Sequence, residues 1–157
     1  MFDASIEYFA AQYGISENWI RAVIQVESNW NPNAYNPNDP GGGAYGLGQI
    51  LLSTARGLGY TGSADGLFDP ATNIHYIAQL LAQLRDAYGD DFRRVYSAYN
   101  SGNPDLWQTS AQVAANVARA VDALAQYIEE NPGTAAAIGG AGILIIGALL
   151  FFFLRRH

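Results

Sequence analysis

Apolar positions in this chain recur three and four residues apart, in runs separated by loops rich in Gly, Asn and Pro. Ile6, Phe9, Ala10 and Tyr13 share one face of a helix predicted over Asp3–Tyr13, which Gly14 would end as a left-handed residue. Ile20, Val23 and Ile24 make the same stripe in residues 16–28, with Ser16 placed to cap the first turn. Residues 29–48 are too broken by Asn, Pro and Gly for anything beyond a short strand or turn. A short helix is predicted over 53–58, stopped by Gly59. Asp69-Pro70 couples an N-cap to a proline at the first helical position, and opens a helix carrying Ile74, Ile77, Leu81, Leu84 and Tyr88 up to Gly89. Phe92, Val95, Tyr96 and Tyr99 mark a further short helix, cut by Asn100-Ser101-Gly102. Thr109 can cap a long helix through Val113, Val117, Val121, Leu124 and Ile128. No run alternates as a strand and no repeat is present, so the predicted fold is mainly α with little or no β.

The last part of the chain breaks this pattern. Residues 134–154 carry no charge and, at ~1.5 Å per residue, span about 30 Å, the thickness of a bilayer core. Phe151, Phe152 and Phe153, followed by Arg155, Arg156 and His157, read as an interfacial anchor. A buried core helix is the competing reading, disfavoured by the Pro132-Gly133 break that precedes the run. The expected division is a folded domain over 1–131, a linker at 132–133, one transmembrane helix over 134–154 and a basic tail at 155–157. Residues 1–13 hold neither the basic nor the apolar segment of a secretory signal.

Half of the 157 residues are apolar, enough for one core. There is no cysteine, so disulfide frameworks and thiolate metal sites are excluded. Fourteen acids stand against eight arginines and no lysine, a net charge of −6, which argues against nucleic acid as a partner.

Glu27 falls at i+7 from Ile20, on the apolar stripe of its helix. An apolar setting disfavours the charged carboxylate and should raise its pKa, and such local contradictions gather at functional sites. The alternative is a helix-end glutamate that turns to solvent. Other chemistry is poorly supplied. His75 and His157 are far apart, which disfavours Ser–His and His-metal sites, and His75 reads as structural or solvent-facing. The loop 36–43 (NPNDPGGG) offers one acid, Asp39, where a calcium loop would offer several, and its glycines follow no strand, unlike a phosphate loop. No metal or cofactor is expected. Trp30, Tyr35, Tyr45 and Tyr99 offer flat apolar faces, and Gln49 and Asn100 offer paired donors and acceptors. That inventory suits a sugar polymer.

Val23-Ile24-Gln25-Val26-Glu27-Ser28, continued by Asn31-Pro32 and Ala34, resembles the catalytic segment of the soluble lytic transglycosylases, goose-lysozyme-like enzymes that cleave peptidoglycan. Ala44-Tyr45-Gly46-Leu47-Gly48-Gln49-Ile50 resembles the family's GA-x-GLMQI segment. Asp69-Pro70 with Asn73-Ile74 resembles its third motif, and Ala98-Tyr99-Asn100-Ser101-Gly102 is similar to AYN-[AS]-G. Each motif alone is weak; the set in family order, from Ile20 to Gly102, is specific. Departures are Gly48 in place of methionine, which predicts a looser wall beside the site, a longer 36–43 loop, and no clear counterpart of the family's later proline-rich and tyrosine segments.

The resemblance implies a lysozyme-like fold and Glu27 as the sole catalytic acid and base, with Ser28, Tyr45, Gln49, Tyr99 and Asn100 binding substrate and Tyr99 beside Glu27. The implied reaction cleaves the bond between N-acetylmuramic acid and N-acetylglucosamine and closes a 1,6-anhydro ring, assisted by the substrate's acetamido oxygen. Two alternatives stay open. One is a hydrolytic muramidase, which would draw a second acid from Asp39, Asp65 or Asp69; the other is a non-enzymatic membrane structural or glycan-binding protein. The expected partners are peptidoglycan glycan strands, a lipid bilayer through 134–154, and virion membrane or capsid proteins. The whole resembles membrane-anchored, virion-associated transglycosylases of bacteriophages, with location in an internal phage membrane. A bacterial inner membrane, with the domain towards the wall, is the alternative.

Overall fold

Among residues 2–39 and 41–132, which the computed structural model describes, six α-helices surround one apolar core and a very small sheet. α1 is Asp3–Tyr13, α2 is Glu17–Ser28, α3 is Leu52–Gly57, α4 is Pro70–Tyr88, α5 is Phe92–Ser101 and α6 is Ala111–Glu130. The sheet is antiparallel in the order β1 (Tyr35–Asn36), β2 (Ala44–Tyr45), β3 (Ile50–Leu51), with Tyr35 opposite Tyr45 and Tyr45 opposite Ile50. Two 3-10 turns, Ala64–Phe68 and Leu106–Gln108, lie in stretches for which periodicity predicts no element.

Local chemistry sets the helix ends. Ser16 accepts from the Asn18 N–H at 3.2 Å, Asp69 from Thr72 at 2.8 Å and Asp91 from Arg93 at 3.0 Å, satisfying first-turn donors. Gly14 and Gly102 take left-handed conformations just past α1 and α5. The cap of α6 differs from expectation by one residue. Ser110 caps it, accepting from Val113 at 3.4 Å, while the Thr109 hydroxyl turns back to the Leu106 carbonyl of the preceding 3-10 turn.

The expected stripes are the core. Ile20, Val23 and Ile24 of α2 are fully buried with Ile74, Ile77 and Leu81 of α4, Val95 of α5 and Ala120 of α6. α6 packs along α2 and across α5, and α1 packs on α4. His75 belongs to this second contact: it stacks on Phe9 (5.0 Å between ring centres) and its Nε2 hydrogen-bonds the Tyr13 hydroxyl at 2.6 Å. Burial lowers its pKa, and its role is structural. No helix among the described residues is long and apolar enough to cross a membrane; the span expected over 134–154 lies outside them.

Candidate active site

Glu27 occupies the last turn of α2, one helical turn beyond the buried Val23 and Ile24. Neighbouring atoms strip most water from the carboxyl, while the residue keeps a partial opening to solvent. This desolvation raises its pKa to about 7 from an ordinary 4.5. A hydrogen bond from the Tyr96 hydroxyl to Oε1, at 2.7 Å, and the positive field of Arg119 pull the other way; the charge of Asp39 adds to the rise. Oε2 receives no hydrogen bond among the described residues. A carboxyl group with one anchored oxygen, a second without a hydrogen bond among the described residues, and a pKa near neutrality can give and take a proton at physiological pH.

The chain leaves α2 through a strained turn. Asn29 and Trp30, neither of them glycine, both have positive φ, 50° and 64°. Gln25 holds both: its Nε2 donates to Asn29 Oδ1 at 2.7 Å and its Oε1 accepts from the Trp30 indole N–H at 2.8 Å. That N–H also reaches the Tyr127 hydroxyl of α6 at 3.1 Å, and the indole stacks on Phe2. Trp30 thus braces the end of the helix that carries Glu27. The sequence suggests a sugar-stacking face instead.

Tyr96 is the candidate site residue that sequence reading passes over. It is buried among core residues of α5 and sits at i+4 from Phe92, so periodicity marks it as core. Its hydroxyl nevertheless meets the Glu27 carboxyl, and burial with the nearby Glu27 charge raises its own pKa strongly. Tyr99, one turn further, stacks parallel to Tyr96 at 6.2 Å and feels the Glu27 charge, but its hydroxyl donates to the Gly48 carbonyl at 2.7 Å.

A single buried amide holds the loop opposite. Asn73 of α4 accepts from the Gly48 N–H at 2.8 Å and donates to the carbonyls of Tyr45 at 2.8 Å and Leu67 at 2.7 Å. All three of its bonds are buried, or nearly so, and they tie the 45–48 turn to α4. The looser wall expected at Gly48 is not found. A Cβ there would stand 2.6 Å from Ile77 Cδ1 and 2.7 Å from the Tyr99 hydroxyl, so these two side chains already fill the space. Gln49 follows with φ 48°, and its Nε2 donates to the carbonyls of Ala34 and Gly46, both at 3.1 Å. Its Oε1 accepts no hydrogen bond among the described residues.

The remaining candidates divide. Asn100 is exposed on α5 and accepts from Asn116 Nδ2 at 3.1 Å. Ser28 donates to the Ile24 carbonyl of its own helix at 3.2 Å, and Tyr45 donates to Gly42 at 3.0 Å while its ring packs with Tyr35 and Phe68. The fold thus brings Glu27, Tyr96, Tyr99 and the Gly48-Gln49 turn together, whereas Ser28 and Tyr45 satisfy their hydroxyls locally. Among the described residues no three His, Asp or Glu side chains converge to hold a metal ion.

Known proteins share this frame. A transglycosylase of Enterobacteria phage PRD1 is 34% identical over 98 residues, covering 62% of this chain and 34% of that protein. The membrane-bound lytic murein transglycosylase C of Shigella sonnei is 38% identical over 105 residues, covering 58% and 28%. The chain therefore spans about a third of the length of these curated relatives. The X-ray structure of an inactive mutant of the lytic transglycosylase Slt from Pseudomonas aeruginosa shares the fold with a TM-score of 0.68, at 22% identity, over 82% of this chain and 24% of that one. The mainly helical, lysozyme-like architecture expected from sequence is the fold observed. Residues 4–131 match the transglycosylase SLT domain, and the chain belongs to that family.

Proposed function

We propose that this chain is a peptidoglycan lytic transglycosylase in which Glu27 is the only acid and base. The observation that carries the reading is the Glu27 carboxyl itself, desolvated to a pKa of about 7 and fixed at one oxygen by Tyr96. Protonated Glu27 gives its proton to the glycosidic oxygen between N-acetylmuramic acid and N-acetylglucosamine, and that bond breaks with its electron pair on the leaving sugar. The acetamido oxygen of the muramoyl residue takes up the bond at C1. Ionised Glu27 then removes the proton of the 6-hydroxyl, whose oxygen displaces the acetamido oxygen and closes the 1,6-anhydro ring. Glu27 ends protonated and no water is consumed. Tyr96 steadies the carboxylate between the two transfers, since its hydroxyl favours the charged form. Gln49, Tyr99 and Asn100, with Ser28 and Tyr45, are the proposed substrate-binding residues.

One observation favours a second reading. The Asp39 charge adds to the rise in the Glu27 pKa, so a carboxylate of the 36–43 loop is felt at the site, and this is the second acid on which a hydrolytic reading would draw. Asp69 is occupied as the cap of α4. Digestion of isolated sacculi separates the two, since transglycosylation leaves anhydro ends and hydrolysis leaves reducing ends.

The membrane half of the proposal rests on sequence. The uncharged run 134–154 would anchor residues 1–131 to a bilayer, and the phage relative suggests delivery by a virion for local opening of the wall. Flotation of the full chain with liposomes, and its loss on deletion of 134–157, tests the anchor. A full chain that stays at the bottom of the gradient refutes it.

A further inference from the structure

The folded region up to residue 132 holds all fourteen acids and only six of the eight arginines. Arg21 pairs with Asp3 and Glu17, Arg85 with Asp86, Arg93 with Asp91 and Arg94 with Asp105. Arg56 lies over the Tyr60 ring and donates to the Tyr60 carbonyl. Arg119 of α6 is different. It is exposed, and its one hydrogen bond among the described residues goes to a neutral side chain, Asn116 Oδ1, at 2.6 Å.

Its place in the fold is specific. Asn116 Nδ2 donates in turn to Asn100 Oδ1, and Asn100 lies at i+4 from Tyr96, on the same face of α5. Tyr96 touches Glu27. Hydrogen bonds therefore link the Arg119 guanidinium through Asn116 to Asn100, which stands one turn of α5 beyond the tyrosine that holds Glu27. The positive charge of Arg119 also lowers the pKa of both Glu27 and Tyr96, so it is felt at the same site. A guanidinium offers five donors in a planar fork suited to a carboxylate, and most of this one is unused. In an acidic domain, an arginine that pairs with no carboxylate among the described residues is available for a carboxylate from outside.

Peptidoglycan sugars are neutral, and the acids of the polymer lie on the peptide stem. That stem is attached to the muramoyl residue, the sugar whose C1 reacts. We propose that Arg119, oriented by Asn116, binds a carboxylate of the peptide stem on the muramoyl residue being cleaved. This rests on the transglycosylase reading and adds a charge-recognising subsite to it.

The test uses the full chain in detergent and two preparations of the same glycan strands, one with free stem carboxylates and one amidated with carbodiimide and ammonia. The initial rate of anhydro-end formation is read at subsaturating strand concentration. Wild type should favour free-acid strands by roughly tenfold, the worth of one charge-assisted hydrogen bond. That preference would run against the general repulsion of an acidic domain. Arg119→Gln should abolish or invert it, and Arg119→Lys should retain part. Equal rates of wild type on the two preparations overturn the proposal, as does a tenfold preference that survives in Arg119→Gln. If Arg119 only tunes Glu27, the variant changes both rates by one factor and shifts the pH profile with the ratio intact, which also overturns it. Absence of anhydro ends from wild type on either preparation refutes the transglycosylase reading instead. Cosedimentation of the two preparations with Glu27→Gln, with and without Arg119→Gln, then still reads the preference.

Discussion

Glu27→Gln should make the protein more stable, and only above a definite pH. In the unfolded chain Glu27 ionises near 4.5; in the folded state desolvation holds the proton to about 7. Below 4.5 the group is protonated in both states and the folded protein has its full preference for the neutral form. Between 4.5 and about 7 the unfolded chain releases the proton and the folded chain keeps it, so stability falls as pH rises. Above 7 both are ionised and the loss is complete. The gap is about 2.5 pH units, which at ~1.4 kcal/mol per unit gives about 3.5 kcal/mol. The opening to solvent around Glu27 makes this an upper bound, so about 2 kcal/mol is the working figure. Gln keeps the shape without the charge. Urea unfolding of both proteins at pH 4 and pH 8 should show the stability difference growing in favour of Gln by about 2 kcal/mol. Parallel stability curves would mean that Glu27 has an ordinary pKa, and the acid–base argument would fail with it.

Other outcomes follow from the same contacts. Tyr96→Phe removes the hydrogen bond that favours ionised Glu27, so its pKa rises and the alkaline limb of activity moves to higher pH; Asp39→Asn removes a repelling charge and moves that limb down. Rate–pH profiles check both, and shifts in the same direction would contradict the assigned electrostatics. Asn73→Ala strands the Gly48 N–H and the Tyr45 and Leu67 carbonyls, and should lower stability by about 3 kcal/mol or more and weaken glycan turnover as the Gln49 turn loosens. Urea midpoints and initial rates measure this, and a variant as stable as wild type would show that the turn is held by something else.

Much of the frame is written locally. The Ile20, Val23, Ile24 stripe, the Ser16 cap and the Asp69-Pro70 start each depend on residues a few positions apart, and all appear as expected. Glu27 is legible because it interrupts an apolar stripe. Tyr96 is not, because it stands where any core aromatic of α5 would stand, and its meeting with Glu27 is made by helix packing across 69 residues. Gly48 misleads for the same reason: the missing side chain is visible in sequence, while Ile77 and Tyr99 filling its place are not. Trp30 looks like an exposed platform until its indole N–H is seen to bridge Gln25 and Tyr127. The slip from Thr109 to Ser110 is a contest between adjacent hydroxyls that the preceding 3-10 turn decides.

The central claim is that one carboxyl group both opens the glycosidic bond and closes the anhydro ring. Its most direct test is mass analysis of the products released from purified sacculi by the wild-type chain and by Glu27→Gln. The account predicts muropeptides one water lighter than hydrolytic products, carrying 1,6-anhydro ends, from wild type and none above background from the folded variant. Reducing ends from wild type, or anhydro products at an undiminished rate from Glu27→Gln, would contradict it.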